Sequence, residues 1–263
     1  MLKYYAAFKY EFADNVQYKI ALLFHTIIFA LIMYIMMNVW NYLYDSPSTY
    51  IVGYSYPQMI WYVILTELLW FSTRSFILNN QMGSDIRSGN ISVYMNKPYN
   101  YIGFIFFRYL GEISVNLLNY LPIGAIIGIL YLYVFPKHTI LSAFSFSLSF
   151  ILSIVINGLI RLVLGMSSFW IENTQPLIWL YEKLILIIGT IFPIELFPEW
   201  IQNILIRTPI YVISYGPAKL FVDFHKEIFG HIIFMQVIYI VAGLLLLWMV
   251  YKKGRIKIDI NGG

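Results

Sequence analysis

Ile20 to Val39 is an apolar run without a single Asp, Glu, Lys or Arg. A helix of about 20 apolar residues, rising about 1.5 Å each, is what a bilayer core demands. Five further runs follow at Pro57–Leu78, Ile102–Val134, Ile140–Met166, Leu177–Phe192 and Phe229–Tyr251. Composition agrees: 60% of the 263 residues are hydrophobic and only 11% are charged. A water-facing domain carries about 25% charged residues, so the chain reads as an all-α, polytopic membrane protein with six transmembrane helices. Its 23 Tyr and 7 Trp gather near the ends of these runs, as interfacial belts do.

The second and third runs are joined by a polar, Gly-punctuated bridge over residues 79–100. It contains Gly83-Ser84-Asp85-Ile86-Arg87-Ser88-Gly89-Asn90-Ile91 and closes on Asn96-Lys97-Pro98. A polar element tied at both ends to spans suits the transmission of a push from a soluble partner into the bilayer. It also carries Ile86, Ile91, Val93, Tyr94 and Met95, which are exposed on such a loop unless something covers them. Either it is a solvated loop or a protein-docking surface with Ile86, Arg87 and Ile91 at the contact.

The chain reads as one transmembrane domain over residues 1–263. Residues 1–19 carry Leu2, Tyr5, Phe8, Phe12 and Val16 at roughly helical spacing, which suits an interfacial helix feeding the first span. This mixed segment does not have the form of a cleavable signal peptide. Residues 193–223 hold Pro193, Pro198, Pro209 and Pro217, which cut the segment into short helices lying at, or re-entering, the interface. The tail, 252–263, alternates polar and apolar residues from Arg255 to Ile260, so a short strand is one expectation and a contact with anionic lipid another. Lys and Arg concentrate in the N-terminal segment (Lys3, Lys9, Lys19), around the bridge (Arg74, Arg87, Lys97, Arg108) and in the tail (Lys252, Lys253, Arg255, Lys257). By the positive-inside rule both termini and the bridge are expected in the cytosol.

The sequence offers no catalytic set. It lacks a P-loop, a Gly-x-Ser-x-Gly elbow, any Cys and any metal-binding spacing among His25, His138, His225 and His231. The sharper candidates are ionisable residues inside the runs: Glu67, Arg74, Glu112 and Arg161. An unpaired charge at mid-bilayer costs at least about 2.5–3.5 kcal/mol, so each is expected to have a partner or to line a path. For Glu67 the partners are Arg161 or Arg74; alternatively it lines a path for a cationic amphiphile. Arg74 and Arg108 are expected to snorkel to the cytosolic edge. The third run exceeds the length of a span, which places Arg108 and Glu112 near the headgroups.

With these features placed, the chain resembles permease subunits of the type-2 ABC transporter family, closest to small bacterial permeases encoded in pairs beside one ATPase. Three segments carry the resemblance. Asp85-Ile86-Arg87-Ser88-Gly89-Asn90-Ile91 through Lys97-Pro98 is similar to the family's cytosolic coupling helix, which assigns ATPase coupling to Asp85, Ile86, Arg87, Gly89, Ile91 and Pro98. Ile191-Phe192-Pro193-Ile194-Glu195-Leu196-Phe197-Pro198-Glu199-Trp200 is similar to the extracytoplasmic helices before the last span. Lys253-Gly254-Arg255 to Asn261-Gly262-Gly263 is similar to the basic tail. The resemblance implies an exporter in the bacterial inner membrane, moving an amphipathic small molecule, drug or peptide. It implies a second permease, identical or sister, and separate ATPase subunits that hold ATP and Mg, this chain binding no cofactor itself. The reading from another class is an ATPase-independent immunity or scaffold protein that binds a toxin or partner in the membrane.

Overall fold

The computed structural model describes residues 2–44, 46, 49–133, 135, 136 and 138–261, without the side chains of 255 and 257–261. Helix α1 (Leu2–Gln17) leads through Tyr18 into α2 (Lys19–Leu43). A two-residue-per-strand antiparallel hairpin, β1 (Tyr50–Ile51) and β2 (Tyr54–Ser55), precedes α3 (Tyr56–Thr73). Ser55 and Gln58 cap the start of α3, with a proline in its first turn where a missing N–H costs nothing. After a break the chain resumes as a π turn (Ile77–Gln81) that runs into α4 (Met82–Arg87), then α5 (Ile91–Met95) and α6 (Tyr101–Leu132). The α4–α5 turn needs Gly89, whose φ of 75° is costly for any residue with a Cβ.

Helix α7 (Ile140–Met166) follows, opened by a capping box between Thr139 and Ser142. A 3₁₀ turn (Ser167–Phe169) leads to α8 (Gln175–Leu184), which passes into a second π turn (Ile185–Ile191). Four short elements come next: a 3₁₀ turn (Ile194–Leu196), α9 (Glu199–Leu205), a third π turn (Tyr211–Tyr215) and α10 (Gly216–Val222). Helix α11 spans Lys226–Asn261. The strand expected over Arg255–Ile260 is therefore corrected: the backbone there continues α11. No proline interrupts it, and its Gly254 sits so close to Phe169 that an added Cβ would overlap the ring.

Four described helices are long and apolar enough to cross a membrane: Lys19–Leu43, Tyr101–Leu132, Ile140–Phe169 and Lys226–Gly254. The second and fifth expected runs are also helical, but of another character. Fourteen of the eighteen residues of α3 are buried by the rest of the chain, so it tolerates Thr66, Glu67, Ser72 and Thr73. Helix α8 and its π turn mix apolar residues with Glu182 and Lys183.

Two cores form around α3. One joins Phe29 and Met33 of α2 to Tyr62 and Ile64 of α3 and to Val212, Ala218 and Leu220. The other joins Leu78, Met82, Ile86 and Ile91 to Tyr101, Ile105 and Tyr109 of α6 and to Leu162 and Met166 of α7. The bridge between α3 and α6 is thus built into the second core.

Helix α1 lies lengthwise along the first half of α6. Tyr4 stacks on Phe107 with ring centroids 5.5 Å apart, and its hydroxyl accepts the Asn100 N–H at 3.1 Å. Close approach is possible because position 111 has no side chain: a Cβ there would lie 2.6 Å from the Phe8 carbonyl oxygen. Replacing Gly111 by Ala should force α1 away and cost about 1–3 kcal/mol, the usual penalty of overpacking. The expected readout is a lower thermal-unfolding midpoint in detergent with faster proteolysis within residues 2–17; an unchanged midpoint and digestion pattern would refute this account of the α1–α6 contact.

Candidate functional site

The break after α3 is braced by side chains of several elements. Arg74 is extended (φ −68°, ψ 123°), so the helical ladder stops there. A helix end leaves N–H and C=O groups without intrahelical partners. Here α6 supplies them. Glu112 accepts the Ser75 hydroxyl at 2.5 Å and the Phe76 N–H at 2.8 Å. Asn116 donates to the Ser72 carbonyl at 3.2 Å. Ser75 in turn accepts the Leu78 N–H at 3.2 Å, as an N-cap hydroxyl does. Glu112 is thus committed to the break.

On the other side of the break lies a buried polar cluster. Arg161, only 1% exposed, donates from Nε to Asn157 at 2.8 Å and from a terminal nitrogen to Asn79 at 2.8 Å and Glu182 at 3.1 Å. Asn79 also donates to Glu182 at 3.0 Å, and Asn157 donates to Thr73 at 2.8 Å. The Tyr181 ring faces the guanidinium, 5.6 Å from its centroid. Four elements are joined this way: the end of α3, the first π turn, α7 and α8. Arg74 touches the same Glu182 at 3.9 Å, half exposed and stacked over Trp70 at 4.9 Å.

These contacts replace the pairs expected from sequence. Glu67 meets neither Arg161 nor Arg74; it is buried in α3, and its Oε2 has no hydrogen-bond partner among the described residues. Trp70 Nε1, three residues on, is likewise unpartnered. Arg161 lies at the level of Glu182, beyond the reach that the Glu67 pairing assumed. Arg108 turns toward α1. It binds Glu11 of α1 through two nitrogens, each 2.7 Å from Oε2, with 13% of its side chain exposed.

The bridge divides into an inward and an outward set. Ile86 and Ile91 sit in the second core, which removes them from the expected docking contact. Both short helices fold their apolar side onto α6 and α7, because two isolated turns of helix are stable only when they bury such a side. Asp85 is also buried and accepts the Tyr101 hydroxyl at 3.3 Å. Burial lifts the Asp85 carboxyl above its ordinary value, while the Tyr101 hydroxyl and the Arg108 guanidinium hold the rise down. Arg87, Gly89, Lys97 and Pro98 are exposed, and so is Val93 at 59%. The bridge ends against α1, where Lys3 donates to the Pro98 carbonyl.

A second polar cluster lies near the hairpin, far from the bridge along α3. Glu195 Oε1 accepts the Tyr54 hydroxyl at 2.9 Å and the Tyr215 hydroxyl at 2.6 Å, with Lys219 at 3.5 Å. Lys219 also pairs with Asp223 at 2.8 Å and lies 4.5 Å from the centre of the Tyr54 ring. No spacing in the sequence announces this cluster, since its members come from four separate elements: β2, the 3₁₀ turn at Glu195, the third π turn and α10. Another set was legible and missed: Ser142, Ser145, Ser149, Ser153, Asn157 and Arg161 recur every three or four residues and are all buried on one side of α7.

The described structure is thus a set of membrane-length helices with a braced joint and a bridge of two short helices. The family model described as ABC-2 family transporter protein matches residues 28–262. The chain belongs to this family and is a membrane component of an ABC transporter. No curated protein matches it.

Breaking the buried pair tests the cluster. Arg161→Met leaves Glu182 with the Asn79 amide and the more distant Arg74 and should destabilise the protein by about 3–5 kcal/mol, as an undercompensated buried charge does. Arg161→Met with Glu182→Met should recover most of that loss. Thermal unfolding of the single and double variants in detergent measures it; additive losses would mean that the two side chains are not coupled.

Proposed function

We propose that the chain is the transmembrane subunit of an ATP-driven exporter in the bacterial inner membrane. It crosses the membrane six times, α3 and α8 with its π turn supplying the second and fifth crossings, and keeps both termini in the cytosol. A second permease, identical or sister, completes the pore, and separate subunits bind ATP and Mg. The cargo is an amphipathic small molecule, drug or peptide. Beyond family membership, the observation that carries this reading is the split of the bridge. Asp85, Ile86 and Ile91 anchor it to the spans, while Arg87, Val93 and Lys97 face outward around the Gly89 turn. A cation pair around one apolar side chain suits a groove with carboxylates at its rim, where Arg can bind two oxygens at once.

The test uses the complex with its ATPase. Arg87→Glu with Val93→Asp should leave the permease inserted and as stable as the parent, yet abolish cargo-stimulated ATP hydrolysis and transport. Ile91→Asp, by contrast, should lower stability, because it puts a charge into the second core. Full transport by the Arg87/Val93 variant would sink the docking role. Protection or activity that persists in cells lacking every ABC ATPase would favour the immunity or scaffold reading instead.

Glu67 supports one statement about cargo. A buried carboxylate oxygen without a partner favours a positive group over a neutral one. Glu67→Gln should lower export of cationic amphiphiles while sparing neutral cargo, measured by paired transport assays in the same vesicles. Equal loss of both would remove Glu67 from the cargo path.

A further inference from the structure

A cavity of about 520 Å³ opens beside the α3 break, between the α1–α2 elbow and α6. Neither the bridge nor the Glu67 reading uses it. Its polar lining includes Tyr18, His25, Arg74, Asn80 and Tyr120. The charges around it are unevenly committed. Each oxygen of Glu112 in its wall already accepts one hydrogen bond, from the Ser75 hydroxyl and from the Phe76 N–H, which ties that carboxylate to the break. Glu182 is held at 3.1 Å by the buried Arg161, and Arg74 reaches it only at 3.9 Å. Two arginines therefore share one close carboxylate, and the half-exposed one borders the cavity. Asn80 accepts from Gln175 through its oxygen at 2.9 Å, which leaves its amide N–H groups to donate. The hydroxyls of Tyr18 and Tyr120 and the His25 ring add further donors.

The rim is apolar and turned outward. Ala21 and Ile28 of α2 are exposed, and Phe76 is 68% exposed. Arg74 lies at the end of α3, and Tyr18 lies one residue before the membrane-length α2, so both mark interfacial depth. A donor-rich pocket with one loosely paired cation, at the interface and open beside exposed apolar side chains, has the form of a seat for a phosphate carrying acyl chains.

We infer that this cavity binds the headgroup phosphate of an acidic phospholipid, held by Arg74 and the donors around it, with the acyl chains lying against Ala21, Ile28 and Phe76. The lipid then packs against the break that joins α3 to the bridge. An Arg–phosphate pair is bidentate and charge-assisted, which makes it specific as well as strong.

The permease is reconstituted into nanodiscs of equal phosphatidylglycerol and phosphatidylcholine, re-extracted in mild detergent, and its retained lipid counted by native mass spectrometry. The parent should retain phosphatidylglycerol over phosphatidylcholine. Arg74→Gln should lower that retention about tenfold, the effect of losing about 1.4 kcal/mol of binding. Because Arg74 also touches Glu182, the second variant is His25→Gln with Asn80→Asp, which leaves that contact intact and should lower retention by a similar factor at an unchanged unfolding midpoint. Equal retention of the two lipids by the parent, or undiminished phosphatidylglycerol in the second variant, would overturn the proposal. Displacement of the lipid by millimolar inorganic phosphate would overturn the lipid source and leave a site for a free anion. None of these readouts involves ATP hydrolysis, so the lipid site stands or falls separately from the exporter reading.

Discussion

An interrupted helix inside a membrane protein must hand its orphaned backbone groups to other side chains, and the rest of this structure is arranged around one such interruption. Where α3 stops at Arg74, the Ser72 carbonyl and the Phe76 N–H lose their intrahelical partners. Glu112 and Asn116, one turn apart on α6, replace them. That places a carboxylate on a long apolar helix at a cost that only hydrogen bonding offsets. The same helix receives α1 through the Glu11–Arg108 pair one turn earlier, so α1 and the break both lean on α6.

The π turns extend this logic. Each of the three described ones widens the helix and leaves carbonyls outside the regular ladder, a feature common at functional positions. Neighbouring hydroxyls and amides fill in. Gly189 accepts from Tyr62 at 3.3 Å and from Ser214 at 2.6 Å, and Thr190 accepts from Thr66 at 3.1 Å. Val212 accepts from Ser153 and from Gln236, each at 2.9 Å. The buried Ser side of α7 is therefore the acceptor and donor strip against which an irregular segment packs, and small side chains also let the backbones approach.

Much of the architecture was legible because lipid imposes a simple rule on composition. The runs Ile20–Val39, Ile102–Val134, Ile140–Met166 and Phe229–Tyr251 each lie within a helix of membrane length or coincide closely with one. The bridge was legible as an element but not in its orientation. Ile86 and Ile91 look like a docking surface in sequence, since nothing local says that α6 and α7 cover them. The charge partners were the least legible. Glu67 in the second run and Arg161 in the fourth carry opposite charges and invite pairing, yet depth along each helix decides contact, and it is Glu182 of α8 that meets Arg161. The tail failed for a local reason: an alternation of Ile with Lys and Asp fits a strand, but a helix already under way continues at less cost than a new strand can be started without a partner.

A joint braced on both sides has a mechanical consequence. The bridge is fixed to α6 by continuity through Tyr101 and by the shared core around Ile91, so the two move together. Its link to α3 is different in kind, since only Arg74 and Ser75 separate the two helical segments and neither continues the ladder. In the docking role proposed above, a force on the outward set around Arg87 and Val93 would reach α6 directly but α3 only through side chains. Glu112 and Asn116 carry it from α6, while Asn79 and Thr73 connect it to Arg161 on α7. Hydrogen-bonded clusters of this kind favour discrete arrangements over gradual deformation, because a half-broken buried network is worse than either intact one. The break is thus suited to switch between packings, with the buried Arg161–Glu182 pair resisting any state that would expose one charge without the other.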